Sequence, residues 1–152
     1  VFFLHGTSSI CQGRGQIVTP IPPPKPKFVI LILPHLSMPT PAVYKKFDDL
    51  KLGSNDNVKN HPDWNHWTTL PATELLPQLI NDLEPPAFAL RPDLADLRAK
   101  IESQISRPVR MSGSGSSLFT LADDSSEAQS LADSIRKTGL RADPFQLAPH
   151  SN

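Results

Sequence analysis

The residues best suited to chemistry lie in Met111–Phe119, which reads MSGSGSSLF. Gly113 and Gly115 alternate with serines, and glycine both reaches positive φ and allows close approach to the backbone. Successive amides in such a loop can form a nest for an anion, and Ser114 and Ser116 add hydroxyls. The chemistry on offer is contact with a phosphate or a similar ligand. No Gly-Lys-Ser/Thr follows, which excludes a Walker A loop. After Gly115 the next glycine is Gly139, which excludes a dinucleotide fingerprint. The same spacing also suits a flexible hairpin turn, and pattern alone leaves that reading open.

Other chemistry-bearing residues are sparse. The five histidines (His5, His35, His61, His66 and His150) have no conventional zinc spacing with supporting Cys or Asp. His61 and His66 flank Asp63, a set too thin to expect a metal. His35 falls just past a strand end, beside Ser37, and reads either as a cleft residue or as a surface one. Cys11 stands alone, so no internal disulfide can form, and with no evident base nearby it reads as structural. Asp82 and Glu84 are two apart and cannot face one another on a helix, although one of them can cap or bridge. No Ser-His-Asp set is recognisable. The chain offers ligand contacts but no general base.

The elements that must position these residues follow from periodicity. Phe28–Leu33 is a continuous apolar, β-branched run and predicts a central strand, stopped by Pro34. Thr40-Pro41-Ala42 reads as an N-cap followed by Pro at N1, opening a short helix to about Phe47. Asp48–Thr69 is polar and aperiodic, predicting a long loop that Trp64 and Trp67 anchor. Leu75, Leu76, Leu79, Ile80 and Leu83 approach a helical period that Pro77 interrupts, and Pro85-Pro86 is expected to end the segment. Pro92–Ile105 is the clearest helix, with Leu94, Leu97, Ile101 and Ile105 in one stripe. Val109–Met111 and Ser117–Ala122 read as strands flanking the glycine loop. Asp124 with Glu127 resembles a capping box, opening a helix that Gly139 closes. Ala142–Ala148 predicts a last strand despite Pro144. The order implies an α+β fold in which helices cover one face of a small, mainly antiparallel sheet.

The amino-terminal stretch is different. Val1–Leu4 reads as a buried strand, Gln12–Gly15 as a turn and Gln16–Thr19 as a second strand pairing back. Pro20, Pro22, Pro23, Pro24 and Pro26, from a total of 17 prolines, form a stiff connector and the best domain boundary. Val1–Leu4 lacks the basic flank and length of a signal peptide. The chain begins without Met, inside an apolar run, and is expected to be a piece of a longer protein.

Composition narrows the function classes. Of 152 residues, 38% are hydrophobic and 20% charged, with 15 Lys+Arg against 15 Asp+Glu. A net charge of zero argues against a polybasic nucleic-acid binder and an acidic disordered tail. The longest apolar run, Phe28–Leu33, is far too short to span a membrane as a helix.

Four stretches together resemble one family. VRMSGSGSSLFTL (109–121) resembles the third glycine-rich motif of the GHMP kinases, which phosphorylate small-molecule hydroxyls. PHLSMPTPAVYKKF (34–47), FFLHGTSSICQGRGQIVTPI (2–21) and NDLEPPAF (81–88) are similar to one branch of that family. The branch phosphorylates the 2-hydroxyl of 4-diphosphocytidyl-2-C-methyl-D-erythritol in non-mevalonate isoprenoid precursor synthesis. The resemblance covers most of the chain and thins across residues 48–70.

The resemblance implies a carboxyl-terminal half: residues 1–27 as the tail of the amino-terminal domain plus connector, and 28–150 as a ferredoxin-like, split βαβ plait. It implies an ATP-dependent kinase using Mg²⁺, whose catalytic Asp and main phosphate loop lie upstream of Val1, so the chain alone is expected to be inactive. The implied partners are a cytidine-diphosphate substrate, ATP and the missing amino-terminal half, with no nucleic acid or membrane. The implied compartment is bacterial cytoplasm or plastid stroma. Residue by residue, Tyr44 takes the aromatic position that packs on cytosine, and Thr40 and Pro41 shape that pocket. Gly113, Ser114, Gly115 and Ser116 lie near the nucleotide. Two other readings stand beside this one: another small-molecule GHMP kinase, and a non-catalytic plait used for binding or assembly.

Overall fold

The structure, a computed structural model, describes residues 8–26, 28–53 and 63–147. The expected strand at Val1–Leu4 and the middle of the expected long loop lie outside these residues.

Two sheets form. The first is a hairpin of β1 (Ser9–Gln12) and β2 (Ile17–Pro20), paired antiparallel with Ser9 opposite Pro20. Gly13 and Gly15 both have positive φ in its turn, +67° and +86°. The partner of the 16–19 strand is thus the segment immediately before the turn, because the two positive-φ glycines let the chain reverse within residues 13–16. The prolines that follow carry no regular structure. The Lys25 N–H between them donates to the Thr68 carbonyl at 2.7 Å, and Pro26 is buried, so the connector is tied down.

The second sheet has four strands: β3 (Phe28–Leu33), β4 (Arg110–Met111), β5 (Leu118–Ala122) and β6 (Arg141–Gln146). Their spatial order is β4-β5-β3-β6, and every pairing is antiparallel. In chain order this is second, third, first, fourth, the arrangement of a split βαβ plait. β3 lies in the middle, which explains its unbroken apolar run. Pro144 is tolerated because β6 is an edge strand and needs no complete set of donors.

The helices are α1 (Thr40–Asp49), α2 (Trp64–Thr69), α3 (Ala72–Leu75), α4 (Glu84–Leu90), α5 (Pro92–Ile105) and α6 (Ser125–Arg136). A single 3₁₀ turn, Leu76–Gln78, follows α3 at Pro77. The main core joins Ile30, Ile32, Leu118, Ala122 and Ala142 of the sheet to Val43, Ala87, Leu94, Ile101, Ala132 and Ile135 of the helices. Side chains alternate along β5, so Leu121 and Phe119 point to the opposite face. There they meet Leu70, Ala72, Leu75, Leu76 and Trp67 in a second, smaller cluster. Helices were expected on one face only. The stretch read as a loop supplies α2, and with α3 it covers part of the other.

Three local differences have clear causes. Pro85-Pro86 opens α4 rather than ending a helix, since the first turn of a helix needs no N–H donors there. Thr40 does not cap α1; Pro39 occupies the N-cap, and the threonine hydroxyl is engaged elsewhere. Asp63 caps α2, its carboxylate accepting the His66 N–H at 3.1 Å. Of the expected Asp124 box the cap half forms, with Asp124 Oδ1 accepting from the Glu127 N–H at 2.9 Å, while Glu127 Oε2 reaches back one residue further, accepting from the Asp123 N–H at 2.9 Å.

Candidate functional site

Residues 112–117 join β4 to β5. The Ser112 N–H donates to the Ser117 carbonyl at 2.9 Å, and the Gly115 N–H to the Ser112 carbonyl at 3.0 Å, so the loop closes on itself. Gly113 and Gly115 have φ of +56° and +86°. At Gly115 a Cβ would stand 2.9 Å from Met111 Sδ, so both conformation and space demand glycine. The expected turn and the expected glycine-serine loop are therefore one object.

The serine hydroxyls are already engaged. Ser114 Oγ lies 2.8 Å from Thr40 Oγ1 in the first turn of α1. Ser116 Oγ donates to the Leu36 carbonyl in the strap between β3 and α1. One residue further along this strap, the Ser37 carbonyl accepts from Arg91 Nη1 at 2.9 Å. Arg91 is held in turn by Asp93, whose two oxygens accept from Nε at 2.9 Å and Nη2 at 2.7 Å. That clamp holds the Asp93 carboxyl below the ordinary carboxylate value, chiefly through the side-chain hydrogen bond.

The structure brings Thr40 and the glycine loop into contact, and Tyr44 lies one turn along α1 from Thr40 on the same face. Tyr44 is 54% exposed, so its ring is free to take a planar ligand. Pro41 is exposed beside them. Cytosine, adenine and other flat π systems are the ligands such a ring takes best.

A polar base, buried at Glu84 and half-buried at Asn81, supports the loop from below. Asn81 Nδ2 donates to the carbonyls of Met111 at 2.9 Å and Gly113 at 2.8 Å. Its Oδ1 accepts the Leu83 N–H at 3.1 Å. Glu84, only 8% exposed, accepts the Met111 N–H at 2.7 Å through Oε1. Its other oxygen faces Arg98 Nη1 at 3.4 Å and Arg110 Nη1 at 3.8 Å. Arg110 also donates to the carbonyls of Leu76 and Pro77, each at 3.0 Å. Spacing showed only that Asp82 and Glu84 do not face each other, and left open that one of them caps or bridges; Glu84 bridges. Nothing in periodicity pointed to Asn81, because its partners lie 30 and 32 residues away.

The remaining candidates stand apart. His35 is exposed past the end of β3, and Cys11 is exposed on the hairpin. His5, His61 and His150 lie outside the described residues. Among the described residues, no group of three His, Cys, Asp or Glu side chains is placed to hold a metal ion. The loop itself carries no carboxylate. The ligand contacts on offer come from the loop and from the described residues around it. What they can do is present backbone donors, an aromatic face and a fixed loop.

Known proteins resemble this chain in sequence and in fold. Residues 69–140 match the family model described as GHMP kinases C terminal. A 4-diphosphocytidyl-2-C-methyl-D-erythritol kinase of Cereibacter sphaeroides (strain KD131 / KCTC 12085) is 37% identical over 135 residues, covering 87% of this chain and 47% of that protein. The chloroplastic kinase of the same name from Arabidopsis thaliana is 36% identical over 123 residues, covering 78% of this chain and 30% of that protein. A crystal structure of 4-(cytidine 5'-diphospho)-2C-methyl-D-erythritol kinase superposes on 95% of this chain and 51% of its own, with 30% identity and a TM-score of 0.67. The chain spans about half the length, or less, of these relatives.

Proposed function

From the premise that the chain carries a GHMP kinase carboxyl-terminal domain, we propose that it is the carboxyl-terminal half of a kinase. The enzyme transfers the terminal phosphoryl group of ATP to the 2-hydroxyl of 4-diphosphocytidyl-2-C-methyl-D-erythritol, a step of non-mevalonate isoprenoid precursor synthesis. The observation that carries this reading is the agreement over 95% of the chain with a solved 4-(cytidine 5'-diphospho)-2C-methyl-D-erythritol kinase at 30% identity. The 2.8 Å contact between the α1 segment and the glycine loop supports it, because it holds two proposed ligand contacts side by side.

In this reading the chain positions ligands and performs no proton transfer. Tyr44 stacks on the cytosine ring, and Thr40 and Pro41 shape the entrance beside it. Gly113, Ser114, Gly115 and Ser116 sit near the nucleotide phosphates. Since the Ser114 and Ser116 hydroxyls are engaged within the protein, and the Ser112 and Gly115 N–H groups close the loop on itself, the loop meets phosphate through its other backbone amides. ATP supplies the transferred group when bound, and Mg²⁺ and the catalytic Asp belong to the upstream half. Residues 1–27 are the end of the amino-terminal domain with its connector, and 28–150 the carboxyl-terminal domain. Supporting that division, β1 and β2 form a sheet of their own. Bacterial cytoplasm or plastid stroma suits the enzyme, given bacterial and chloroplastic relatives.

The test is phosphoryl transfer by the chain joined to its upstream reading frame, with the cytidyl substrate and with homoserine as a rival acceptor. ATP-dependent phosphorylation of the first alone is expected. Transfer to neither, or to homoserine instead, overturns the assignment. The chain by itself is expected to turn over no ATP above a no-protein control.

A further inference from the structure

The glycine-serine loop is held from below by side chains that the proposed chemistry does not use. Asn81 stands in the turn before α4 and Glu84 is the first residue of that helix. Between them they engage the Met111 N–H, the Met111 carbonyl and the Gly113 carbonyl, at 2.7, 2.9 and 2.8 Å. All three groups lie at the entry to the loop. The exit is fixed independently, by Ser116 on the Leu36 carbonyl.

We infer that Asn81 and Glu84 are positioning residues for the 112–117 loop, together fixing the direction in which its amides point. This rests on the nucleotide reading of the loop given above. The Gly113 carbonyl, turned inward to Asn81 Nδ2, shares its peptide with the Ser114 N–H, which is thereby turned outward, whereas the Ser112 N–H of the Met111 peptide is spent on the Ser117 carbonyl. Two carbonyls captured by one amide therefore fix the entry of the loop, and with it the direction of the Ser114 amide, for an anion. Glu84 has the complementary part. It removes the Met111 N–H from the set of available donors, and its charge is matched by Arg98 and Arg110. Arg110 is also bonded to the Leu76 and Pro77 carbonyls, so the base is anchored to the 3₁₀ turn. A buried carboxylate without such partners would not persist there.

The chemical content is specific at each atom. Asn81→Asp keeps the size and the acceptor for the Leu83 N–H but replaces two donors by an oxygen facing two carbonyls. Glu84→Gln keeps an acceptor for the Met111 N–H and loses the charge and the acceptor that faces the half-buried Arg98 and Arg110, whose guanidinium groups have other acceptors nearby in Glu102 and in the Leu76 and Pro77 carbonyls. Asn81→Asp is thus the severe change and Glu84→Gln the mild one, while Glu84→Ala removes both functions.

Amide hydrogen exchange on the chain and steady-state kinetics on the chain joined to its upstream half test this together. In Asn81→Asp, exchange at residues 112–117 is expected to rise about tenfold while β3 and α6 keep their protection, the loss expected from two hydrogen bonds. The KM for ATP is expected to rise more than kcat falls, with the KM for the cytidyl substrate unchanged. Glu84→Gln is expected to retain most of both properties that Glu84→Ala loses. Unchanged exchange at 112–117 in Asn81→Asp overturns the inference, and so does faster exchange spread evenly over the whole sheet, which marks general destabilisation. Faster local exchange with an unchanged KM for ATP upholds the brace and overturns the nucleotide reading of the loop.

Discussion

Thr40 Oγ1 lies 2.8 Å from Ser114 Oγ, joining the first turn of α1 to the middle of the glycine loop across 74 residues of sequence. This contact turns two separate sequence features into one surface. It also explains why Thr40 leaves the capping role that its place before Pro41 suggested. An N-cap side chain must fold back onto its own helix, whereas this hydroxyl points across to another element.

A double-mutant cycle measures that link. Thr40→Val and Ser114→Ala are each expected to destabilise the chain by ~0.5–1.5 kcal/mol in urea denaturation. The double variant is expected to cost about as much as one of them, because the second change removes a partner already lost. Strict additivity would mean that the hydroxyls do not interact in solution.

The two loop glycines are expected to differ. Gly113→Ala meets open space and suffers only its positive φ of +56°, a penalty of about 1–2 kcal/mol. Gly115→Ala has the same backbone conflict at φ +86° and also drives a methyl to 2.9 Å from Met111 Sδ. Overpacking of this kind adds about 1–3 kcal/mol. Thermal denaturation should therefore rank Gly115→Ala below Gly113→Ala, and the reverse order would refute the contact at Met111.

How much of this was legible follows from the range of the interactions. β3 was readable because a buried central strand must be apolar at every position, and Phe28–Leu33 is. α6 was readable because its cap and stripe are local, from Asp124 to Ile135. The glycine loop was readable as a loop, since its two positive-φ positions are glycines. The base of the site was not readable from spacing, although the family-like stretch NDLEPPAF contains it. Asn81 and Glu84 act on Met111 and Gly113, and no rule of spacing connects an Asn before one helix to a carbonyl in a distant hairpin. Pro85-Pro86 was misplaced for a related reason: two prolines suit either boundary of a helix, and only the packing of α4 under the loop decides which.

Acid is expected to loosen the strap between β3 and α1. Hydrogen bonding by Arg91, with its charge, lowers the Asp93 carboxyl from its ordinary value of 3.8. The folded value lies below the unfolded one, so the contribution is complete above the unfolded value and is lost as pH falls through the folded one. Arg91 then loses the partner that aims it at the Ser37 carbonyl. A carboxyl ¹³C titration should place Asp93 below 3.8, and Arg91→Gln should return it toward that value. Amide exchange around residues 36–39 should quicken over the same pH range. An unshifted Asp93 would show that the clamp is not formed in solution.

Tyr44 offers the sharpest separation of binding from folding. Its ring is 54% exposed, so deleting it removes little packing, and Tyr44→Ala is expected to leave the midpoint of urea denaturation nearly unchanged. Stacking on a base is worth ~1–3 kcal/mol, so the same change is expected to weaken cytidine diphosphate binding by a factor of roughly 5 to 150. Tyr44→Phe keeps the π face and loses only the hydroxyl, so it should bind almost as the parent does. Titrations followed by Trp and Tyr fluorescence, with the remaining reporters Trp64 and Trp67 on a different element, allow all three proteins to be compared. If Phe fails as badly as Ala, the hydroxyl rather than the ring carries the contact, and stacking is the wrong account of this face of α1. If neither change matters, the cytidine lies elsewhere, and the exposed ring belongs to a surface that the intact protein covers.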